Sequence, residues 1–314
     1  MNSEAAVFSE QIFDESLIPE ISSLVAGRLR EDLLGSTLTT FGVGGPIRAV
    51  VTVESEGELS QVLKALSQAG QPVRTIGNGS NILVGDNGLR EWVLRLGAAF
   101  RATTKQSSGK VEVGAAASLM TVARRFSDEG LSGLEFAAGI PASVGGAIFM
   151  NAGAHGSEIC SAVVRVDGVM PDGSVRSWAR GELPWRYRFS GLPQGVTVTK
   201  TVLSLVEGDR ELIAKSCADH LAERRARQPL ALPSAGSVFK NPKPDLTAGM
   251  VLEAAGLKGV RVGGAVVSGL HANWIVNPER RASAADVSNL IELCKSRVYE
   301  HSGVRLETEV KLWV

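Results

Sequence analysis

The feature of this sequence that most constrains its fold is the gathering of glycine into three dense runs. The chain has 314 residues and 35 glycines, and the runs span residues 42–45, 77–88 and 139–156. They lack the fixed period of a collagen-like chain, so we expect loops in which the backbone closely approaches a neighbour or a ligand. An ordinary tight turn explains one such run. Three of them in one part of the chain favour a ligand-binding domain.

The length and the net charge of the chain limit the classes of protein to which it can belong. A chain of 314 residues is long enough to form two domains that each bury a hydrophobic core. The 33 basic and 33 acidic residues give a formal net charge of zero. No overall field therefore draws the chain to nucleic acid or to an anionic membrane, and neither partner is predicted. Any anion that binds must be held by a local arrangement of donors.

Cysteine usage and the amino-terminal residues indicate the compartment. Cys160, Cys217 and Cys294 are widely spaced, which predicts neither a metal site nor a disulfide framework. Acidic residues precede the first basic residue, Arg28, unlike in a signal peptide. No uncharged apolar run reaches the roughly 18 residues that a membrane span needs. We therefore expect a cytoplasmic protein, and a monomer, although oligomeric state is not readable from the sequence.

Hydrophobic periodicity predicts an α+β chain in three parts. Residues 1–35 form a helical lead-in. Residues 36–207 begin with a β-α-β unit that ends in the second glycine run and continue with further strands. The polar segment that starts at residue 208 opens a smaller α+β domain, 208–314. This domain contains a capped helix from Ser283 and ends in an alternating strand, Val304–Trp313.

The second and third glycine runs do not match the common nucleotide motifs. A Rossmann fingerprint would need glycine where Ile82 stands, and residues 139–146 lack the Gly-Lys-Ser/Thr ending of a phosphate loop. Both runs can nevertheless present successive backbone N–H groups to an anion, aided by the hydroxyls of Ser80 and Ser143. Spacing alone therefore predicts a ligand that carries a diphosphate, and no more.

Seven segments in a fixed order resemble the family of UDP-N-acetylenolpyruvoylglucosamine reductases. Any one of them is a weak signal, whereas their shared order over about residues 36 to 314 is specific. The segments are Thr39–Gly45, Gly77–Val84, Gly133–Ala147, Asn151–Gly156, Tyr187–Ser190, Gly236–Pro242 and Leu306–Val310.

The resemblance implies a fold, a reaction and a cofactor. The first domain is expected to be an FAD-binding domain of the vanillyl-alcohol oxidase type, and the second to bind a UDP-sugar. NADPH would reduce the bound FAD, which would pass hydride to C3 of UDP-N-acetylglucosamine enolpyruvate. Protonation at C2 would give UDP-N-acetylmuramate, a peptidoglycan precursor. The implied FAD-binding residues are Gly77, Asn78, Gly79, Ser80, Asn81, Ile82, Gly139, Ile140, Pro141, Ser143, Gly145, Gly146 and Ala152.

Three residues are implied to be catalytic. Arg188 matches the arginine that stabilises the enolate, Ser237 the serine that protonates C2, and Glu309 the glutamate that polarises the substrate carboxylate. Local sequence alone favours plainer roles, which are a surface arginine, a turn serine and a solvated carboxylate. Glu307 has the same strand phase as Glu309, so the choice between them rests on the resemblance.

The implied substrate-binding residues are Tyr187, Arg227, Lys240 and Asn241. Arg227 is chosen from an arginine cluster, 224–227, that equally fits a solvated helix end. His155 lies in the flavin segment, where a backbone-paired histidine is favoured over a metal ligand. The chain lacks the extra tyrosine-bearing loop of one branch of the family, so it resembles the shorter branch.

Two other functions remain open from the sequence. A related flavoprotein oxidase or dehydrogenase would share the first domain without needing Arg188, Ser237 and Glu309 together. A catalytically inactive UDP-sugar-binding regulator would not need to retain all three. The presence of the three residues favours the reductase.

Overall fold

The structure is a computed structural model that describes residues 13–106 and 109–314. Its first region is a mixed four-stranded sheet with helices on one face. Strand order is β1-β2-β5-β3, with β2, β5 and β3 parallel and β1 antiparallel to β2. Its elements are α1 (Ile18–Leu24), β1 (Leu29–Leu34), β2 (Pro46–Val53), α2 (Glu56–Gln68), β3 (Val73–Thr75), β4 (Ile82–Val84) and β5 (Leu89–Leu96).

Helix α2 shows how this region forms from its sequence. Ser55 caps the helix by accepting a hydrogen bond from the Glu58 backbone N–H. Its apolar residues recur every three or four positions, so one face is buried against the sheet. The register of β2 on β5, with Val50 opposite Val93, places both strands in the same core.

The second region is a five-stranded antiparallel sheet with helices packed on it. Its strand order is β12-β11-β13-β7-β6, with Thr201 of β13 opposite Val113 of β7. Its elements are β6 (Thr103–Lys105), β7 (Lys110–Gly114), α3 (Leu119–Asp128), β8 (Leu131–Ser132), α4 (Val144–Phe149), β9 (Gly153–Ala154), β10 (Ser157–Glu158), β11 (Val163–Val169), β12 (Val175–Ala179), β13 (Thr197–Ser204), β14 (Val206–Glu207) and α5 (Arg210–Arg227).

The third region is a small α+β unit around the long helix α7. Ser283 and Asp286 form the capping box that the sequence predicts, and Gly303 ends the helix in the left-handed conformation, with φ 71°. Its elements are α6 (Ala248–Ala254), β15 (Arg261–Val262), β16 (Ala265–Val267), β17 (Ile275–Val276), α7 (Ala284–Ser302) and β18 (Lys311–Trp313).

The last strand of the chain, β18, returns to the first region. This pairing holds the first and third regions together. Strand β18 pairs in parallel with β4, with Leu312 opposite Leu83. Phe41 and Val43 are buried in the core of the third region. This crossing brings the segment before β18 beside the glycine run that precedes β4.

Three details differ from the expected organisation. The lead-in is not only helical, because β1 is a strand of the first sheet; residues 1–12 lie outside the described residues. Helix α5 packs against α3 and the short helix Glu135–Ala137, so it belongs with the second region and not beyond a boundary at residue 208. The predicted final strand is regular only over β18, because residues 307–309 first hydrogen-bond to the segment around Val238.

Candidate active site

One cavity of about 810 Å³ lies where the three regions meet. It extends from the carboxyl ends of the parallel strands β3 and β5, past the loop before α4, to the third region. Ligands of open α/β sheets bind at that end of parallel strands. The volume lies within the range of about 300–1,000 Å³ that is typical of ligand pockets.

The glycine loop after β3 forms part of the wall. Gly77, Asn78, Gly79, Ser80, Asn81 and Ile82 all line the cavity. No hydrogen bond between described residues uses a backbone N–H of residues 77–81 as its donor. Successive unpaired amides beside a cavity are suited to an anion such as a diphosphate.

The loop before α4 forms the facing wall. Ile140, Pro141, Ser143, Gly145, Gly146 and Ala152 line the cavity. The two loops touch, because the Asn78 side chain donates to the Pro141 carbonyl at 3.2 Å, and a Cβ on Gly77 would stand 2.2 Å from Ser143 Oγ. Gly77 therefore permits a close approach of the two walls.

Two of the glycine positions have structural rather than lining roles. Gly139 is not among the cavity-lining residues; a Cβ there would lie 2.8 Å from Cδ of Arg224. Gly45 packs on the end of the second run, where a Cβ would stand 2.0 Å from the Asp86 carbonyl oxygen. Close packing of the backbone therefore accounts for Gly45 without a ligand.

Arg188 and Glu309 meet inside this cavity. Arg188 Nε donates to Glu309 Oε1 at 2.7 Å, and the two side chains are 17% and 14% exposed. Arg188 adopts a left-handed backbone conformation, with φ 55°, which is uncommon outside glycine. Burial raises the pKa of Glu309 above its ordinary value, while the Arg188 guanidinium opposes the rise. A carboxyl whose pKa is raised by burial thus contacts a guanidinium inside the cavity.

Ser237 lines the same cavity, at the start of a segment that pairs with residues 273–274 of the third region. Its backbone bridges to Trp274, and the next amide, Val238, donates to the Asn273 carbonyl at 2.9 Å. The Asn81 side chain donates to the Glu309 backbone carbonyl at 3.2 Å, which ties the glycine loop to the segment that carries Glu309. A hydroxyl, a guanidinium and a carboxyl from distant parts of the chain therefore share one cavity.

The structure separates Glu309 from Glu307, which sequence periodicity left equivalent. Glu309 lines the cavity, whereas Glu307 is 73% exposed and pairs with Lys240 outside it. The backbone between them is irregular and not a continuous strand. For that reason the two side chains do not share the surroundings that a period of two would give them.

The predicted substrate residues lie outside the cavity wall. The Asn241 backbone N–H donates to the Tyr187 hydroxyl at 3.4 Å, and Lys240 pairs with Glu307. Arg227 is 74% exposed and pairs with Glu223 at 3.1 Å. None of these four residues lines the cavity, and their contact with substrate stays a prediction.

Arg224, in place of Arg227, is the arginine of that cluster that lines the cavity. His155 also lines it, stacked on His220 with ring centroids 4.0 Å apart, and its Nδ1 lies 3.3 Å from a Glu223 oxygen. Burial, followed by the neighbouring His220, lowers the pKa of His155. The sequence offered no signal for this pair, because the two histidines are 65 positions apart along the chain.

The described residues fit the cofactor that the resemblance implies. Unpaired backbone amides suit its diphosphate, and Nη1 of Arg224 is buried without a hydrogen-bond partner beside the same cavity. No group of three or more metal-ligating side chains occurs among residues 13–106 and 109–314. Across the same ranges, none of the helices is both long and apolar enough to span a membrane.

Comparisons with known proteins agree with this site. A family model described as an FAD binding domain matches residues 47–178. Together the fold and this match define the chain as a flavoprotein oxidoreductase with an FAD-binding domain followed by a smaller α+β domain, as expected. A second model, described as the C-terminal domain of UDP-N-acetylenolpyruvoylglucosamine reductase, matches residues 228–313.

Full-length relatives extend the match to most of the chain. UDP-N-acetylenolpyruvoylglucosamine reductase 2 of Symbiobacterium thermophilum is 43% identical over 289 residues, covering 91% of this chain and 92% of that one. The reductase of Bacillus subtilis is 37% identical over 301 residues, covering 95% and 98%. The crystal structure of the Thermus caldophilus reductase superposes with a TM-score of 0.79 at 39% identity, covering 91% and 100%. The chain belongs to the UDP-N-acetylenolpyruvoylglucosamine reductase family.

Proposed function

We propose that this protein reduces the enolpyruvyl group of UDP-N-acetylglucosamine enolpyruvate to the lactyl group of UDP-N-acetylmuramate, with FAD bound and NADPH as co-substrate. The observation that carries the proposal is the convergence of Arg188, Ser237 and Glu309 on the cavity that the two glycine loops line. The flavin, when bound, supplies hydride transfer from NADPH to C3 of the substrate. We assign the stabilisation of the developing charge and the protonation of C2 to side chains of this chain.

Arg188 is suited to the charge that develops on the substrate. Hydride addition at C3 places negative charge on C2 and its carboxylate, and a fixed guanidinium stabilises this charge more than the ground state. Arg188 is held by Glu309 at 2.7 Å and needs little reorganisation. Its planar fork matches a carboxylate.

Glu309 has a complementary role. Burial raises its pKa, so the carboxyl can hold a proton next to the substrate carboxylate and donate a hydrogen bond to it. Neutral Glu309 would also leave the Arg188 charge available to the substrate. Glu309 and Arg188 are therefore proposed to bind the same substrate carboxylate, one as a hydrogen-bond donor and the other as a cation.

Ser237 is the proposed proton donor to C2. A serine hydroxyl is a weak acid, so the transfer depends on position and on nearby positive charge. The backbone of Ser237 is fixed by its bridge to Trp274, and Arg188 lines the same cavity. The proton moves from Ser237 Oγ to C2, and solvent restores it afterwards.

The proposal is tested by anaerobic half-reactions. Purified protein should be yellow, absorbing near about 450 nm, because the flavin brings its own chromophore. NADPH should bleach this absorbance, and UDP-N-acetylglucosamine enolpyruvate should restore it, whereas UDP-N-acetylglucosamine should not. Reoxidation by oxygen with a phenol or hydroxy acid as the reductant in place of NADPH would instead favour an oxidase.

We also propose that the active form is a monomer in the cytoplasm. All three catalytic groups come from one chain, and Cys160, Cys217 and Cys294 are free. Light scattering during size-exclusion chromatography of the active enzyme tests the first point. Activity confined to a dimer peak would contradict it.

A further inference from the structure

A second cavity, of about 270 Å³, shares a wall with the main one, and we call it the side cavity. Its outer wall is formed by the loop 230–234 together with Thr40 and Arg280. Thr40, Leu230 and Arg280 are exposed, so the side cavity reaches the protein surface without passing through the main cavity. The residues that line both cavities are Ser80, Pro141, Gly236 and Trp274.

The shared wall lies directly beside Ser237. Gly236 precedes it in the chain, and Trp274 is its partner in an antiparallel bridge. Directly opposed residues of an antiparallel pair have their side chains on the same face, with Cβ atoms about 4.5–5.5 Å apart. No described atom lies within 4 Å of the position that a Cβ on Gly236 would take, so the space beside this part of the backbone is open. Ser237 is therefore close to both cavities.

The side cavity has polar groups that can bind water. Trp274 is 5% exposed, and its indole Nε1 is buried without a hydrogen-bond partner among the described residues. An unpaired buried donor costs about 1–3 kcal/mol, and a water that accepts from it removes this cost. The Thr40 hydroxyl, which donates to the Ser234 carbonyl at 2.6 Å, offers further lone pairs. A water needs roughly 10–15 Å³ of cavity volume, so there is room for several.

The proposed reaction requires Ser237 to regain a proton in every turnover. The Oγ–H bond of Ser237 breaks as the C2–H bond of the lactyl group forms, which leaves an alkoxide on Ser237. Cofactor and product occupy the main cavity at that moment, and a filled active site excludes water. Water in the side cavity, by contrast, is in contact with the wall that carries Gly236 and Trp274.

We propose that the side cavity holds the water through which Ser237 regains its proton from solvent. The inference rests on the proposed function, because it assigns a proton route to the residue that protonates C2. A water at the shared wall gives a proton to the Ser237 alkoxide, and solvent neutralises the resulting hydroxide at the open end near Thr40 and Arg280. In total, NADPH, the enolpyruvyl sugar and one proton from solvent give NADP⁺ and UDP-N-acetylmuramate.

The test fills the side cavity from its outer wall in the FAD-loaded protein. Ala231 lines the side cavity but not the main one, so Ala231→Trp adds an indole away from substrate and flavin, and Ala231→Leu fills less of the space. Ala69→Trp, at an exposed alanine that lines neither cavity, is the control for the added ring. Stopped-flow mixing of reduced protein with the enolpyruvyl sugar measures the first turnover, and steady-state oxidation of NADPH measures repeated turnovers.

The two measurements should separate in the variants at position 231. The first turnover uses the proton that Ser237 already carries, so its rate should match that of the parent protein. Ala231→Trp should lower kcat at least about tenfold, because supply of the proton becomes limiting. Ala231→Leu should lower kcat less, and Ala69→Trp should leave it unchanged. The solvent deuterium isotope effect on kcat should rise in Ala231→Trp, and imidazolium buffer, a small acid, should restore part of kcat.

Trp274→Phe tests the shared wall itself by removing the indole N–H and keeping an aromatic ring. Its matched control is Trp92→Phe, because Trp92 is also buried but its Nε1 donates to Gln71 Oε1 at 3.3 Å, away from both cavities. Trp274→Phe should lower kcat and leave the first turnover unchanged, with the smaller loss of unfolding free energy, since its N–H has no partner in the protein. Trp92→Phe should show the larger loss of stability with an unchanged kcat.

Two results would overturn the inference. An unchanged kcat in folded Ala231→Trp would show that Ser237 regains its proton through the main cavity. Equal losses in the first turnover and in kcat would show that the loop 230–234 only supports the position of Ser237. If Ala231→Trp does not fold, Ala231→Leu and Trp274→Phe provide the same comparison. Failure of the proposed function is distinct, because the enolpyruvyl sugar would then not reoxidise even the reduced parent protein.

Discussion

The two halves of the cavity are built in different ways. The cofactor half uses backbone from two glycine loops, 77–82 and 140–146, whose members are neighbours along the chain. The half that we propose to be catalytic uses Arg188, Ser237 and Glu309, which are separated by 49 and 72 positions. Function in the first half therefore depends on glycines that let the backbone approach closely. Function in the second half depends on the tertiary packing that brings three side chains together. Substitutions should have different consequences in the two halves.

The largest effect is expected for Ser237→Ala in the catalytic half. Loss of the proton donor should slow flavin reoxidation by the enolpyruvyl sugar about 10³- to 10⁴-fold, the upper part of the range for general-acid catalysis. Reduction by NADPH should change little, because it requires no protonation of C2. Stopped-flow absorbance of both half-reactions measures this. Equal losses in the two would make Ser237 a structural residue.

Arg188→Ala should have the next largest effect on turnover. Removing the cation that faces the developing enolate should lower kcat/KM about 10²- to 10³-fold, as for other groups that stabilise a transition-state anion. Arg186, two positions earlier, is exposed with its guanidinium over the Phe189 ring, so Arg186→Ala is the matched control. Equal kinetics for the two variants would remove Arg188 from the site.

Gly79→Ala, in the cofactor half of the cavity, should lower the free energy of unfolding. Gly79 has φ 63°, and a Cβ there would stand 1.9 Å from the Leu38 carbonyl oxygen. Gly27 has φ 76° with nothing within 4 Å of its Cβ position, so Gly27→Ala carries the conformational cost alone. That cost is about 1–2 kcal/mol. Denaturant unfolding should find Gly79→Ala clearly less stable than Gly27→Ala; equal losses would show that the loop relaxes.

Glu309 should make stability depend on pH. Because burial raises its pKa in the folded state, the folded protein holds the proton more tightly than the unfolded chain. This contribution to stability is fully present below the ordinary glutamate pKa of 4.5 and is lost as pH rises through the raised value. Unfolding free energies of the parent protein relative to Glu309→Gln should therefore fall with rising pH above 4.5. The exposed Glu307→Gln is the control, and a parallel pH profile for the two variants would contradict the assignment.

The smallest effect is expected for Arg227→Ala. Its side chain is 74% exposed and pairs with Glu223 one helical turn away, an arrangement worth roughly 0.3–0.5 kcal/mol. Because the side chain is exposed, any contact with the substrate is at the rim of the cavity. KM for the UDP-sugar should therefore rise no more than about threefold, which corresponds to the free energy of an exposed ion pair. Steady-state kinetics measure this. A tenfold rise would place Arg227 within the substrate site.

The sequence by itself determined the α+β fold, the glycine loops and the family, because these are properties of residues close together in the chain. The start of α7 followed from Ser283 and Asp286, and the buried face of α2 from its spacing. Residues 77–82, which the resemblance implies to bind FAD, all line the cavity, and their contact with FAD stays a prediction.

Only the tertiary structure decided which members of equivalent sets face the cavity. A period of two made Glu307 and Glu309 alike, and an arginine cluster made Arg224 and Arg227 alike. Hydrogen bonds between residues 307–309 and residues 238–240 interrupt the strand. Helix α5 packs on α3, and of its two arginines only Arg224 lines the cavity. Such contacts join residues far apart along the chain, and periodicity carries no information about them.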